Sequence, residues 1–216
     1  MNMQRMIRSS VTISAVAVAV VMVAGCASTP ADRAAEMSNS TVQSRKYLEE
    51  SSQAVSKCLT TLNELITQPK GDMRGQYKDY LASVKSVGRI SDNMDASIHT
   101  MMDASRVYFA DWDNQIAAIN DSTLKKLSQD RKQQAVDSVD EFKKSIDQMR
   151  AAYKPLTKDL DDIGLYLGNN LTADGITALK PRLDTVKTEA LSVRDSIAGS
   201  VTALNKFSAT LAAPAK

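Results

Sequence analysis

The chain has 216 residues, a formal net charge of +2, 5% aromatic side chains, and only 8 Gly and 5 Pro. So few turn formers and large aromatics, beside abundant Ala, Leu, Lys, Gln and Ser, argue against a sandwich or barrel and for long helices joined by few connections. Arg5 and Arg8 are the only charged residues before Cys26; without them 25 basic side chains face 25 acidic ones, and no global electrostatic case for nucleic acid remains.

Residues 1–25 read as a secretory signal. Arg5 and Arg8 form a positive start, and residues 11–24 form an apolar core broken only by Thr12 and Ser14. Those 14 residues reach about 21 Å as a helix, short of the roughly 30 Å of a bilayer's hydrocarbon layer, which suits a cleaved signal better than a span. Val23-Ala24-Gly25-Cys26 follows directly and resembles the lipobox of bacterial lipoproteins. Small residues before the cysteine admit backbone and thiol to the processing enzymes, and the thiol is the nucleophile that receives a diacylglyceryl group. The resemblance implies cleavage before Cys26, acylation of its new amino group, and a membrane anchor of two or more chains. Ala27, where inner-membrane lipoproteins of enterobacteria carry Asp, implies the periplasmic face of the outer membrane, with the inner membrane as the alternative.

Residues 26–40 contain Ser28, Thr29, Pro30, Ser38, Asn39 and Ser40 without an apolar period, and are expected to form a flexible tether that turns helical near its end. A helical domain is expected over 41–211 and a loose tail over 212–216. The first helix carries Val55, Cys58, Leu59, Leu62, Leu65 and Ile66 on one face, which makes Cys58 a buried free thiol. It ends at Gln68-Pro69-Lys70-Gly71-Asp72. The second starts near Met73, with Tyr77, Tyr80, Val84, Val87, Ser91, Met94, Ile98, Met101, Ser105, Tyr108 and Trp112 at a heptad-like spacing. Asn120-Asp121-Ser122-Thr123 supplies cap residues and is read as the next turn.

The third helix, about 123–167, presents Leu124, Leu127, Val139, Phe142, Ile146, Met149, Tyr153, Leu156, Leu160, Ile163 and Leu167; its polar stretch 128–134 predicts loose packing and Pro155 predicts a kink. Gly168 or Asn169 is expected to close it in the left-handed conformation, and Thr172 to cap a fourth helix containing Ile176, Leu179, Leu183, Val186, Val193, Ile197 and Leu204, bent early by Pro181. The fold expected is all-α: an elongated antiparallel bundle of about four long helices with coiled-coil-like seams, the middle pair approaching about 70 Å each.

Phe109-Ala110-Asp111-Trp112-Asp113, Leu124, Ser128, Met149, Pro155-Leu156, Leu165-Tyr166-Leu167 and Asn170-Leu171-Thr172-Ala173 resemble a family of uncharacterised proteobacterial secreted proteins and lipoproteins, over residues 108–179. Where that family has Lys-His before the last motif, this chain has Gly168 and Asn169. The resemblance brings no activity with it. Asn169, Asn170 and Thr172 are nevertheless a candidate contact turn.

Reactive constellations are not visible in the sequence. His99 is the single histidine and reads as a helix-surface residue, and none of the six glutamates has His three positions on, so neither a zinc nor a di-iron site is expected, and no cofactor. Asp111/Asp113 and Asp159/Asp161/Asp162 read as solvated helix faces. Tyr77, Tyr80, Tyr108, Trp112 and Tyr153 fall on the seam and read as core rather than a stacking platform. Lys216 reads as a mobile terminus rather than a cell-wall attachment point. The expectation is a membrane-anchored, non-enzymatic envelope protein that acts as a helical spacer or contacts another envelope protein or itself. The rival is a helical module holding a lipid or other hydrophobic ligand, which Ser91 and Ser105 in the seam and the ten Met favour; an enzyme comes third.

Overall fold

The computed structural model describes residues 29–212. The lipobox residues Val23, Ala24, Gly25 and Cys26, and the tail 213–216, lie outside the described residues. Five helices follow one another: α1 (Pro30–Thr67), α2 (Arg74–Ala118), α3 (Ser122–Asn169), the short α4 (Ala173–Ala178) and α5 (Lys180–Ala212). At about 1.5 Å per residue, the 45 residues of α2 and 48 of α3 extend about 68 and 72 Å. Short connections reverse each helix on the last, and α1, α2, α3 and α5 form an antiparallel four-cornered bundle with α1–α2 and α3–α5 as its most extensive seams.

The tether expected up to Ser40 is corrected: from Pro30 onward the chain is already helix, with Met37 fully buried. Thr29 is the reason. Its hydroxyl accepts from the Asp32 amide at 3.2 Å while the Asp32 carboxylate accepts from the Thr29 amide at 2.8 Å, a reciprocal cap with Pro30 at the first helical position. That bond holds the Asp32 carboxyl below its ordinary range. The serine-rich composition that reads as a linker is accommodated inside the helix: Ser40 and Thr41 both donate to the Met37 carbonyl, at 2.9 and 2.8 Å.

The turns expected at 68–72 and 120–123 are both present, between α1 and α2 and between α2 and α3. Asp121 accepts from the amides of Thr123 and Leu124, each at 2.9 Å, and starts α3. α3 runs through Pro155 without interruption; the carbonyl of Ala151, deprived of its helical donor, lies on an exposed residue where water can serve it. The expected fourth helix is divided in two at Leu179, which places Pro181 in the first turn of α5, where a missing N–H costs nothing.

The heptad positions build the core. Leu48, Leu62 and Leu65 of α1, Tyr80 and Met101 of α2, Phe142, Met149 and Leu156 of α3, and Val186, Leu204 and Phe207 of α5 are all fully enclosed. Polar groups that enter this core find partners: Ser51 bonds the Tyr153 hydroxyl, Thr61 the Ser83 hydroxyl at 2.8 Å, and Ser44 the Ser97 hydroxyl at 3.2 Å. Cys58 is buried and free, and its burial pushes the thiol up to about 11, far from the thiolate a reactive cysteine needs. Leu124 and Leu127 depart from their expected core positions; they are 58% and 49% exposed, on the rim of a cavity shared with the start of α1 and the end of α2.

Candidate functional site

Alternating helix directions give the rod two unlike poles. One gathers the start of α1, the end of α2, the start of α3 and the end of α5. The other gathers the α1–α2 connection, the end of α3, and α4. We refer to these as the proximal and distal poles, since Cys26 precedes α1.

The candidate turn Asn169, Asn170 and Thr172 sits at the distal pole. Two of its three side chains serve the fold. Asn170 donates through Nδ2 to the Tyr166 carbonyl at 3.0 Å, and Thr172 Oγ1 accepts from the Gly175 amide at 3.1 Å as the cap of α4. The expected left-handed ending is corrected: no residue among those described has positive φ, and Asn170 closes α3 at φ −130°. Its own side chain and the bond from the Thr172 amide to the Asn170 carbonyl, 2.8 Å, make the turn without one. Asn169 is exposed, and beside it Leu165 and Tyr166 are exposed too, at 73% and 36%. Their position was legible in the spacing, since Leu160, Ile163 and Leu167 take the seam and leave Leu165 and Tyr166 off it.

Toward the distal end of the rod, one acidic residue overturns its solvated reading. Asp159 is buried and accepts a hydrogen bond from Arg182, while its second oxygen and Oε2 of Glu189 are enclosed. Burial raises the Glu189 carboxyl, and the charge of Asp159 and a hydrogen bond between the two acids raise it further. Asp161 and Asp162 are exposed as expected, whereas Asp111 is largely covered by its ion pair with Arg33. No group of three or more His, Cys, Asp or Glu among the described residues is arranged to hold a metal ion.

A groove of about 470 Å³ opens in the α2–α3 seam. Ile98, Met102, Phe109, Val139 and Ile146 give it an apolar floor, and His99, Asp103, Arg106, Lys143, Asp147 and Arg150 a charged rim. Its size is that of a small-ligand site, and Ser105 from the seam is among its lining residues. Sequence spacing put Ile98, Ser105, Val139 and Ile146 on the seam without showing that the seam opens or that Met102 and Phe109 join them.

The proximal pole collects the first of the residues that carry the family resemblance, 109–113 with Leu124 and Ser128, while 165–167 and 170–173 lie at the distal pole. Asp111 pairs with Arg33 of α1, Trp112 Nε1 donates to Ser128 Oγ at 2.9 Å, and Asp113 pairs with Lys132 at 2.6 Å. Arg131 lies over the Trp112 ring, 5.9 Å from its centre, and Tyr108 meets that ring edge-on at 5.7 Å. Trp112 thus joins α2 to α3, as a seam residue rather than a stacking platform. Pro30, Ala34, Trp112, Leu124 and Leu127 surround an open cavity of about 500 Å³ there.

No helix among the described residues is long and apolar enough to cross a membrane. Comparisons with curated proteins and with solved structures each return no match. A family model does match, over residues 32–211, and so includes the first helix as well as the motifs above. The chain belongs to the family described as "Protein of unknown function (DUF2959)".

Proposed function

We propose that the protein is a lipid-anchored, non-enzymatic spacer of the bacterial envelope that carries a protein-contact surface at its distal pole. The observation that supports this most is the order of its parts: Val23-Ala24-Gly25-Cys26 stands immediately before a rod whose first helix begins at Pro30. An acylated Cys26 would hold the proximal pole at a membrane, on the periplasmic face of the outer membrane by the identity of Ala27. The 38 residues of α1 would then set the distal pole about 57 Å away. Leu165, Tyr166 and Asn169 form the side chains available there for an envelope partner or a second copy. Photo-crosslinking in living cells tests this reading. A crosslinker at Tyr166 is expected to give a discrete adduct that one at Leu191, an exposed leucine about a third of the way along α5, does not. Equal capture from both positions, or none from Tyr166, contradicts a distal contact surface.

The α2–α3 groove supports a second reading, in which an acyl chain lies on Met102, Phe109 and Ile146 with its headgroup among the charged rim. Mass spectrometry of lipid extracted from the purified Cys26→Ser protein separates the two: near-stoichiometric lipid favours the groove, and its absence favours the spacer.

A further inference from the structure

The proximal pole has a feature that a spacer does not require. Leu124 and Leu127 lie one turn apart on α3, at 58% and 49% exposure, and no residue of α3 before Ala135 is fully buried. Two leucines spaced for one face and this far exposed leave apolar area in water at a cost of about 25 cal/mol per Å² unless something covers it. Lys126, between them in sequence, is exposed, and Trp112 beside them has an apolar ring with its polar edge already bonded to Ser128. Leucine, lysine and tryptophan together are the side-chain chemistry of the membrane interface.

The length of chain before the first helix indicates what covers them. Between Cys26 and Thr29 lie three residue steps, which reach at most about 11 Å when fully extended. A lipid on Cys26 therefore leaves the proximal pole no room to stand off from the bilayer. Pro30 and Ala31, where α1 begins, line the same cavity as Leu124 and Leu127, so anchor and leucines arrive at the membrane together. We propose that the proximal pole docks on the phospholipid surface, with Leu124 and Leu127 set into the headgroup layer as a second point of attachment. With lipid at Cys26 and leucines on the α2–α3 tip, the rod is held at two points and its direction is fixed rather than free to swivel. Because acidic and basic side chains are mixed and largely paired at this pole, the docking is apolar in origin and needs no anionic lipid.

The inference rests on lipidation of Cys26, and one experiment tests the two separately. Full-length lipidated protein is reconstituted into vesicles of phosphatidylethanolamine and phosphatidylglycerol, a portion of them with brominated acyl chains. The single native tryptophan is replaced by Trp112→Phe, which keeps an aromatic ring at the pole but gives up the bond to Ser128, so helicity and melting of this background are matched to wild type before any reporter is read; the reporter is then placed by Leu124→Trp in one variant and by Leu165→Trp in the other, both at exposed sites. Co-sedimentation reads the anchor, and quenching by bromine reads the docking. The expected result is that both variants co-sediment, that the position-124 reporter loses most of its emission in brominated vesicles, and that the position-165 reporter keeps its emission. Co-sedimenting protein with an unquenched position-124 reporter overturns the docking and leaves the anchor standing. A blue-shifted, unquenched reporter whose shift grows with protein density identifies a second copy as the cover and likewise overturns it. Protein that does not co-sediment overturns the anchor, and the docking with it.

Discussion

The Tyr80 hydroxyl of α2 donates to the main-chain carbonyl oxygen of Leu160 in α3 across 2.6 Å. One turn nearer the distal pole, Tyr77 does the same to Gly164 at 2.9 Å, where the absence of a side chain lets the helices approach. These two bonds close the distal half of the seam that opens further along into the groove. Tyr80→Phe keeps the buried ring and removes one bond, so it is expected to lower stability by about 1 kcal/mol in urea denaturation. The loss in Tyr80→Phe should appear as faster amide exchange in α3 around residues 160–164. Exchange that rises uniformly over the bundle would show that the bond does not act locally.

The turn before α4 depends on a residue with no side chain. A Cβ on Gly175 would stand 2.0 Å from the Asn170 carbonyl oxygen, a main-chain atom that cannot swing away. Gly175→Ala must therefore displace the turn, and a loss of about 1–3 kcal/mol is expected. Thr172→Ala, which removes only the cap, should cost about 1 kcal/mol. Thermal melts of the two variants side by side check this order, and Gly175→Ala at wild-type stability would contradict the tight packing of Gly175 on Asn170.

Glu189 gives the bundle a pH dependence of known sign. Burial, then the neighbouring Asp159, raises its carboxyl in the folded state above the unfolded value of 4.5. The folded chain therefore holds that proton more tightly, and this contribution to stability is lost as pH rises from the unfolded value through the raised one. Exposed acids such as Asp72, held down to about 2 by Arg74, act in the opposite direction at lower pH, so the useful measure is a difference between two proteins. Glu189→Gln keeps a donor toward Asp159 without the titrating proton. Its stability relative to wild type is expected to increase as pH rises through the weakly acidic range, and a difference flat with pH would contradict a raised Glu189 carboxyl.

Much of this architecture is legible from spacing alone, because a heptad seam needs only the positions of Leu62, Tyr80, Met101, Phe142 and Leu204 to announce which face is buried. The start of α1 was not legible by composition, since Ser and Thr look like linker residues until their hydroxyls are seen donating to the preceding turn. Thr29 and Asp32 did carry the spacing of a reciprocal cap, but with Asp in the place where Glu or Gln is usual. Asp159 and Glu189 come from different helices, and no pattern within either helix places them together. Leu124 and Leu127 continue the apolar period to the rim of the proximal cavity, where about half of each side chain stays open. Periodicity records which face a residue occupies and is silent on whether anything covers that face.

The central claim, a rod held to a membrane through Cys26, is tested most directly by the N-terminus of the protein isolated from cell membranes. Mass spectrometry is expected to find a chain that begins at Cys26 with a diacylglyceryl thioether and an acylated amino group. The Cys26→Ser protein is expected to take up no labelled fatty acid and to run as the longer precursor. A wild-type N-terminus without lipid, or a Cys26→Ser protein that still incorporates fatty acid and matures to the same size, would contradict the account.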